Sequence, residues 1–155
     1  SRLREVYYKL RTPADLLLLL MMGTLMAAGQ WVIDLLYDPR YAQAGAMLQV
    51  MAVSLFLVRY QLANQVYLAI GRPRDLAIIN VVQFISLYVV VPLMYFHSGT
   101  EAAIWAIALH AAAIVPFIYF FNARLGLNDV RRELLVLIAL PVGWLFGTAL
   151  SLIRW

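Results

Sequence analysis

The sequence predicts an all-α fold, a polytopic bundle of about five transmembrane helices. Of its 155 residues, 65% are hydrophobic and 13% are charged, against about 45–50% and about 25% in an ordinary soluble domain. Such a chain lacks the polar residues to cover a soluble globule, and it is too apolar to be intrinsically disordered. Its apolar residues form continuous runs rather than the alternating pattern of a membrane β-barrel. The lipid bilayer is therefore the first partner that the sequence predicts.

Five apolar runs are each long enough to cross the hydrocarbon core as a helix, which takes about 20 residues. They predict helices at about 14–36, 42–70, 76–96, 102–121 and 134–152. Turns are predicted where Asp38 follows the first run, Gly71 the second and Gly99 the third. In the last run, the spacing of Gly143 and Gly147 is typical of closely packed helices. The whole chain, 1–155, is predicted as a single domain, and because it does not begin with Met we expect a piece of a larger protein.

The basic residues predict an orientation in the membrane. Nine of the twelve basic residues lie in the N-terminal segment and in the second and fourth connections, which share one side of a five-span chain. They are Arg2, Arg4, Lys9, Arg11, Arg72, Arg74, Arg124, Arg131 and Arg132. The positive-inside rule makes this side cytoplasmic and the C-terminus of the chain external. The net charge of +4 is thus explained by orientation, and no nucleic-acid partner is predicted.

One charged residue, Arg59, falls near the middle of a predicted span. A charge inside the membrane is unfavourable, so such a residue is a candidate functional site. Because a guanidinium binds phosphate or carboxylate through two parallel hydrogen bonds, Arg59 is predicted to bind an anionic substrate. The alternatives are that Arg59 pairs with a carboxylate in a part of the protein outside this chain, or that its side chain extends to the membrane surface.

Four amides are secondary candidates for substrate binding. They are Gln61, Asn64, Asn80 and Gln83. Gln61 and Asn64 lie on roughly the opposite helix face from Arg59, so the five candidates cannot all face one cavity. Hydrogen bonding between helices is their alternative role, and the face that carries Asn80, Gln83 and Ser86 is expected to meet the second helix. His110, in the fourth run, is likewise expected to pack through hydrogen bonds.

The sequence gives no support for several kinds of chemistry. It has no Cys, which excludes disulfides and thiolate sites, and it has no motif of a hydrolase, a zinc enzyme or a nucleotide-binding loop. We therefore predict no enzyme activity, no metal and no cofactor. No carboxylate is expected at mid-membrane depth, because Asp15 and Asp34 lie at the two ends of the first run. Asp34 and Asp38 would suit a metal-dependent glycosyltransferase, although Asp38 before Pro39 is more typical of a turn.

Three short segments, distributed over about residues 30–121, resemble motifs of a transporter family. The segment LLYDPRYAQA, at 35–44, is similar to the pattern L-[YF]-G-x-x-[YF]-x-x-A, with Asp38 where the family often has Gly. YLAIGR, at 67–72, is similar to the helix end h-L-A-x-G-R. SGTEAAIWA, at 98–106, is similar to G-x-x-G-A-x-x-A, with Ala102 in place of the second Gly. The family is that of the oligosaccharide (O-antigen and polysaccharide biosynthesis) flippases, within the multidrug/oligosaccharidyl-lipid/polysaccharide exporter superfamily.

The resemblance implies the C-terminal part of a transporter of roughly twelve to fourteen helices in two lobes, with the N-terminal lobe outside this chain. Such proteins move polyprenyl-diphosphate-linked oligosaccharides across the bacterial inner membrane by alternating access. It also implies a lipid-linked oligosaccharide as substrate, whose diphosphate or acidic sugar Arg59 would contact. Two other functions stay open: a fragment of a membrane glycosyltransferase or polysaccharide polymerase with Asp34 and Asp38 in an outer-face site, or a helical assembly module without a substrate.

Overall fold

The computed structural model describes residues 2–152, most of which are helical. The α-helices of this part of the chain are α1 (Arg2–Leu36), α2 (Ala42–Ala52), α3 (Ser54–Ala69), α4 (Pro73–Leu109), α5 (Val115–Arg124), α6 (Val130–Val136) and α7 (Ala139–Ser151). Short 3-10 helices, Pro39–Tyr41 and His110–Ile114, precede α2 and α5. No strand occurs within residues 2–152. The predicted all-α fold is confirmed.

Several helical segments are long and apolar enough to cross a membrane. In the described part of the chain there are three: Arg2–Leu36, Pro73–Arg124 and Val130–Ser151. The bent pair Pro39–Ala52 and Ser54–Ala69 raises the number to as many as four if it forms one span. The segments have the length and composition of membrane helices, as the apolar composition predicted.

Helix α1 begins at Arg2, whereas hydropathy predicted a helix from about residue 14. The residues before 14 include charged and aromatic side chains, and Tyr7, Arg11 and Asp15 follow one another at intervals of four, along one helix face. All three are buried, because α1 packs against α3 and α6. A hydropathy profile detects only apolar runs, so it does not detect a helix whose polar face is buried by tertiary packing. This explains why the predicted start of the first helix is too late.

The second apolar run forms two helices rather than one. The chain bends by 45° between α2 and α3, next to Val53. At the bend the amide of Val53 donates to the carbonyl of Val50 at 3.1 Å, and the Ser54 hydroxyl donates to the carbonyl of Met51 at 2.7 Å. A side-chain hydroxyl that donates to a backbone carbonyl of the preceding turn is a known cause of helix bending.

The long helix α4 is interrupted at Gly99, where the chain folds back on itself. Gly99 has φ 81° and ψ −164°, a backbone conformation that is essentially restricted to glycine. Beyond it, His110 returns to the first half of α4: the Ser86 hydroxyl donates to its carbonyl at 2.9 Å, and Gln83 Nε2 lies 3.2 Å from its Nε2. The predicted break at Gly99 and the packing role of His110 are confirmed. The sequence predicted that Gln83 and Ser86 face the second helix, whereas the structure gives both a hydrogen-bond partner on this returning segment.

Helices α1 and α7 pack with their backbones in contact. A Cβ atom on Gly147 would lie 2.6 Å from the carbonyl oxygen of Thr24, and one on Gly143 would lie 3.0 Å from the Cα of Leu20. A Cβ on Gly23 would lie 2.7 Å from the amide nitrogen of Trp144. No side chain larger than hydrogen fits these positions without separating the helices, so the close packing predicted from the glycine spacing is confirmed.

Candidate functional site

Four buried charged side chains form a connected group, which we call the ion cluster: Arg11, Asp15, Arg59 and Glu133. Arg11 lies at its centre, with Nε 3.1 Å from Asp15 Oδ2 and Nη1 3.0 Å from Glu133 Oε1. Arg59 Nε lies 3.8 Å from the same Asp15 oxygen. Two arginines and two carboxylates give the cluster a formal charge of zero. Ions in a poorly solvated interior require this internal compensation.

The cluster is enclosed by protein. Arg59 is 1% exposed and Arg11 is 2% exposed. The guanidinium carbon of Arg59 lies 5.2 Å from the ring centres of both Phe56 and Tyr60. Tyr7 accepts a hydrogen bond of 2.6 Å from Arg11 Nη1. Aromatic faces attract cations, and they leave little room for water around the two guanidinium groups.

The cluster joins helices that are distant in sequence. Arg11 and Asp15 come from α1, Arg59 from α3 and Glu133 from α6. Tyr119, from α5, donates a short hydrogen bond to Glu133 Oε2. A relative movement of α1, α3 or α6 would therefore change the pairing of these charges.

Arg59 keeps hydrogen-bonding capacity that its neighbours do not use. Within the described residues its Nε and Nη1 have no hydrogen-bond acceptor, and Oδ1 of Asp15 has no donor. A guanidinium carries five N–H donors, and a buried donor without an acceptor is unfavourable by about 1–3 kcal/mol. Chemically, Arg59 can donate hydrogen bonds from those two nitrogens to an additional anionic or polar oxygen without first losing an existing one.

The structure changes what surrounds Arg59. The sequence placed Arg59 alone among charges within the spans, and it placed any paired carboxylate outside this chain. In the structure the carboxylate is Asp15, from the same chain, and Arg11 and Glu133 accompany it. They were missed as partners because Arg11 and Glu133 lie outside the predicted spans, and because Asp15 was placed at a membrane surface, at the end of the first run. The available signal was the four-residue spacing of Tyr7, Arg11 and Asp15 along one helix face.

The secondary candidates do not gather around Arg59. Gln61 and Asn64 are partly buried in α3, and Oδ1 of Asn64 has no hydrogen-bond donor among the described residues. Asn80 is exposed, and Gln83 contacts His110 instead.

The acidic pair of the glycosyltransferase alternative takes part in local contacts. Asp34 accepts a hydrogen bond of 2.9 Å from Gln30 Nε2. Asp38 accepts one of 3.1 Å from the amide of Arg40 and caps the short helix that follows, which is the predicted turn role. Within residues 2–152 no group of three His, Asp or Glu side chains is placed to hold a metal ion.

Comparison of the chain with models of protein families, with curated proteins and with solved structures gives no match in any of the three.

Proposed function

We propose that this chain is part of a flippase that moves polyprenyl-diphosphate-linked oligosaccharides from the cytoplasmic to the outer leaflet of the bacterial inner membrane. The protein is not an enzyme: it works by alternating access, with a second lobe outside this chain. The observation that carries the proposal is the buried Arg59 guanidinium with hydrogen-bond donors left unused. The three sequence segments that resemble the oligosaccharide flippases add the substrate class.

A diphosphate suits the chemistry around Arg59. Phosphate oxygens accept two parallel hydrogen bonds from a guanidinium more favourably than they accept from a lysine ammonium. In the structure Asp15 is the counter-ion of Arg59, with its Oδ2 3.8 Å from Arg59 Nε. A diphosphate would compete with Asp15 for that guanidinium, so substrate binding would alter contacts between α1 and α3.

We propose a five-span arrangement for this segment. The spans are α1, the bent pair α2–α3, α4 up to Gly99, the returning segment from Thr100 through α5, and α6–α7. Five spans put the two ends of the chain on opposite sides of the membrane, and the positive-inside rule assigns the N-terminal end to the cytoplasm and the other end to the periplasm. Bent and interrupted helices are common in transporters, where the break lets one half of a helix move relative to the other.

Transport by the full-length protein in liposomes tests the proposal. The substrate is a polyprenyl-diphosphate-linked oligosaccharide with a fluorophore, and the measurement is its accessibility to a membrane-impermeant quencher over time. We expect the protein to accelerate transbilayer movement. We expect Arg59→Gln to raise the substrate concentration for half-maximal rate, and Arg59→Lys to restore part of the affinity. Arg40→Gln, at an exposed arginine, is the matched control and should behave as the wild-type protein does.

Asp15→Asn separates substrate binding from a purely structural role of Arg59. If Asp15 competes with the diphosphate, Asp15→Asn should lower the half-maximal substrate concentration, opposite in sign to Arg59→Gln. If Arg59 only stabilises the fold, both variants should lose folded protein, measured by size-exclusion chromatography, and neither should change the half-maximal concentration of what remains. That outcome removes Arg59 from the site. No acceleration by the wild-type protein refutes the flippase function itself.

A further inference from the structure

A groove lies between the beginning of α4 and the end of α5, and we call it the α4–α5 groove. Its volume is about 620 Å³, within the range of known ligand sites, about 300–1,000 Å³. Two arginines, Arg74 and Arg124, border it together with the apolar residues Ile78, Phe117 and Phe120. The groove thus combines a charged end with an apolar channel.

Because the chain folds back at Gly99, Arg74 and Arg124 lie at the same distance along the chain from the turn. Arg74 precedes Gly99 by 25 residues and Arg124 follows it by 25 residues. At 1.5 Å per residue, each half extends about 37 Å from the turn, slightly more than the hydrocarbon core of about 30 Å. If the turn lies at one face of the bilayer, both guanidinium groups reach the headgroup region of the other face.

Neither arginine is neutralised by the protein. Arg74 and Arg124 are exposed, and no ion pair involves either of them among residues 2–152. Asp75, the acidic residue at the groove, lies 3.5 Å from Arg72 through Oδ2. Arg124 is positioned by Phe120, with its guanidinium carbon 4.4 Å from the ring centre. The groove therefore presents two positive charges that no carboxylate of the described residues pairs with.

The apolar part of the groove faces the surroundings of the protein. Phe120 is 52% exposed and Phe117 is 38% exposed. They belong to the segment Pro73–Arg124, which is long and apolar enough to cross a membrane. In a bilayer this surface contacts acyl chains, so a molecule in the groove must be anionic at one end and apolar along the rest.

We propose that the α4–α5 groove binds an acidic phospholipid of the cytoplasmic leaflet. Its phosphate lies between Arg74 and Arg124, at the end of the groove where α4 begins. One acyl chain runs along Ile78, Phe117 and Phe120. Basic pockets between membrane helices on the cytoplasmic side are a recurring form of lipid recognition. This lipid is distinct from the transported substrate, and its binding does not depend on the flippase function.

The test measures lipid binding to the purified full-length protein in detergent micelles by native mass spectrometry. Phosphatidylglycerol and phosphatidylcholine with identical acyl chains are compared. We expect phosphatidylglycerol to bind more tightly, and the double variant Arg74→Ala/Arg124→Ala to lose about fivefold in affinity per arginine. The matched control is Arg4→Ala/Arg131→Ala, which removes two exposed arginines outside the groove and should keep the preference.

Two further arms identify the ligand. The double variant Arg74→Lys/Arg124→Lys retains the charge, so it should retain most of the preference for phosphatidylglycerol. Millimolar inorganic phosphate should not displace the lipid, because it cannot occupy the apolar channel. The proposal is overturned by equal binding of the two lipids, by an equal loss in the control variant, or by displacement with inorganic phosphate. It is also overturned if equimolar polyprenyl diphosphate displaces phosphatidylglycerol, since the groove would then be a substrate site.

Discussion

The contact between α1 and α7 predicts the effect of adding a single methyl group. In Gly147→Ala the new Cβ would lie 2.6 Å from the carbonyl oxygen of Thr24 and 2.8 Å from the Cβ of Ala27. Ordinary contacts of a Cβ atom begin at 3.4 Å. Because the obstructing oxygen belongs to the backbone of a helix, it cannot rotate away, and the helices must separate by about 0.8 Å.

The magnitude follows from two opposing effects. Adding a methyl group to a tightly packed contact destabilises by about 1–3 kcal/mol, and a gap of about 0.5–1 Å loses a quarter to a half of each dispersion contact along the interface. Alanine offsets this by its better helix propensity, about 1 kcal/mol relative to glycine. The difference is about 0–2 kcal/mol, so we expect Gly147→Ala to lower the free energy of unfolding by about 1 kcal/mol.

Gly143→Ala should be more severe than Gly147→Ala. Its Cβ would collide with the backbone of Leu20, and the shift would break the hydrogen bond of 3.1 Å from the Thr24 hydroxyl to the Gly143 carbonyl. Unfolding in mixed micelles with increasing denaturing detergent measures both variants. The control is Ala149→Leu, which adds volume at an exposed position of α7. If Gly147→Ala and Ala149→Leu are both as stable as the wild-type protein, α1 and α7 do not pack through these glycines.

Three further predictions concern the turn, the ion cluster and the orientation. Gly99→Ala forces a side chain into a positive-φ conformation and should lower the free energy of unfolding by about 1–3 kcal/mol. The neighbouring Ser98→Ala should leave it unchanged. Equal thermal stability of the two variants would contradict the turn at Gly99. Glu133→Gln leaves the ion cluster with an uncompensated positive charge and should lower the free energy of unfolding by about 3 kcal/mol. Glu5→Gln, at an exposed site, is the control and should change it little. Both are measured by unfolding in denaturing detergent, and similar values for the two variants would refute the charge argument. A reporter fused behind Trp155 should give a periplasmic signal, and a cytoplasmic signal would overturn the orientation.

Features that depend on local backbone chemistry could be predicted from the sequence. Gly71 and Gly99 were expected to interrupt helices, and they have φ values of 71° and 81°. The side chain of Asp38 was expected to stabilise a turn and does so. Each of these features depends on the conformational preferences of a few adjacent residues, which are independent of the rest of the fold.

The ion cluster could not be predicted, because its members are charged yet buried by partners far away in sequence. Arg11 and Glu133 are 122 residues apart. A hydropathy scale treats each as a residue that belongs in water, whereas mutual pairing makes their burial possible. The same limitation set the start of the first helix too late, since the polar residues before 14 belong to a buried face.

The hydrogen-bond partner predicted for Gln83 and Ser86 was wrong for a topological reason. The sequence suggested the second helix, which precedes α4. The structure pairs both residues with His110, on the segment that returns after Gly99. A short turn between two helices places them antiparallel and adjacent, so the next element along the chain is the first partner to consider for a polar helix face.

The two classes of arginine predict different responses to salt. Arg11 and Arg59 are buried and compensated within the protein, so dissolved salt screens their charges much less than it screens exposed charges. Arg74 and Arg124 are exposed, and neither forms an ion pair with another residue of the described range 2–152. Raising the ionic strength from about 0.05 M to about 0.5 M shortens the screening length severalfold and weakens exposed pairs selectively. The preference for phosphatidylglycerol should therefore fall with salt, while the destabilisation by Glu133→Gln should stay the same. If that destabilisation falls with salt as well, the ion cluster is accessible to solvent and the distinction between the two classes fails.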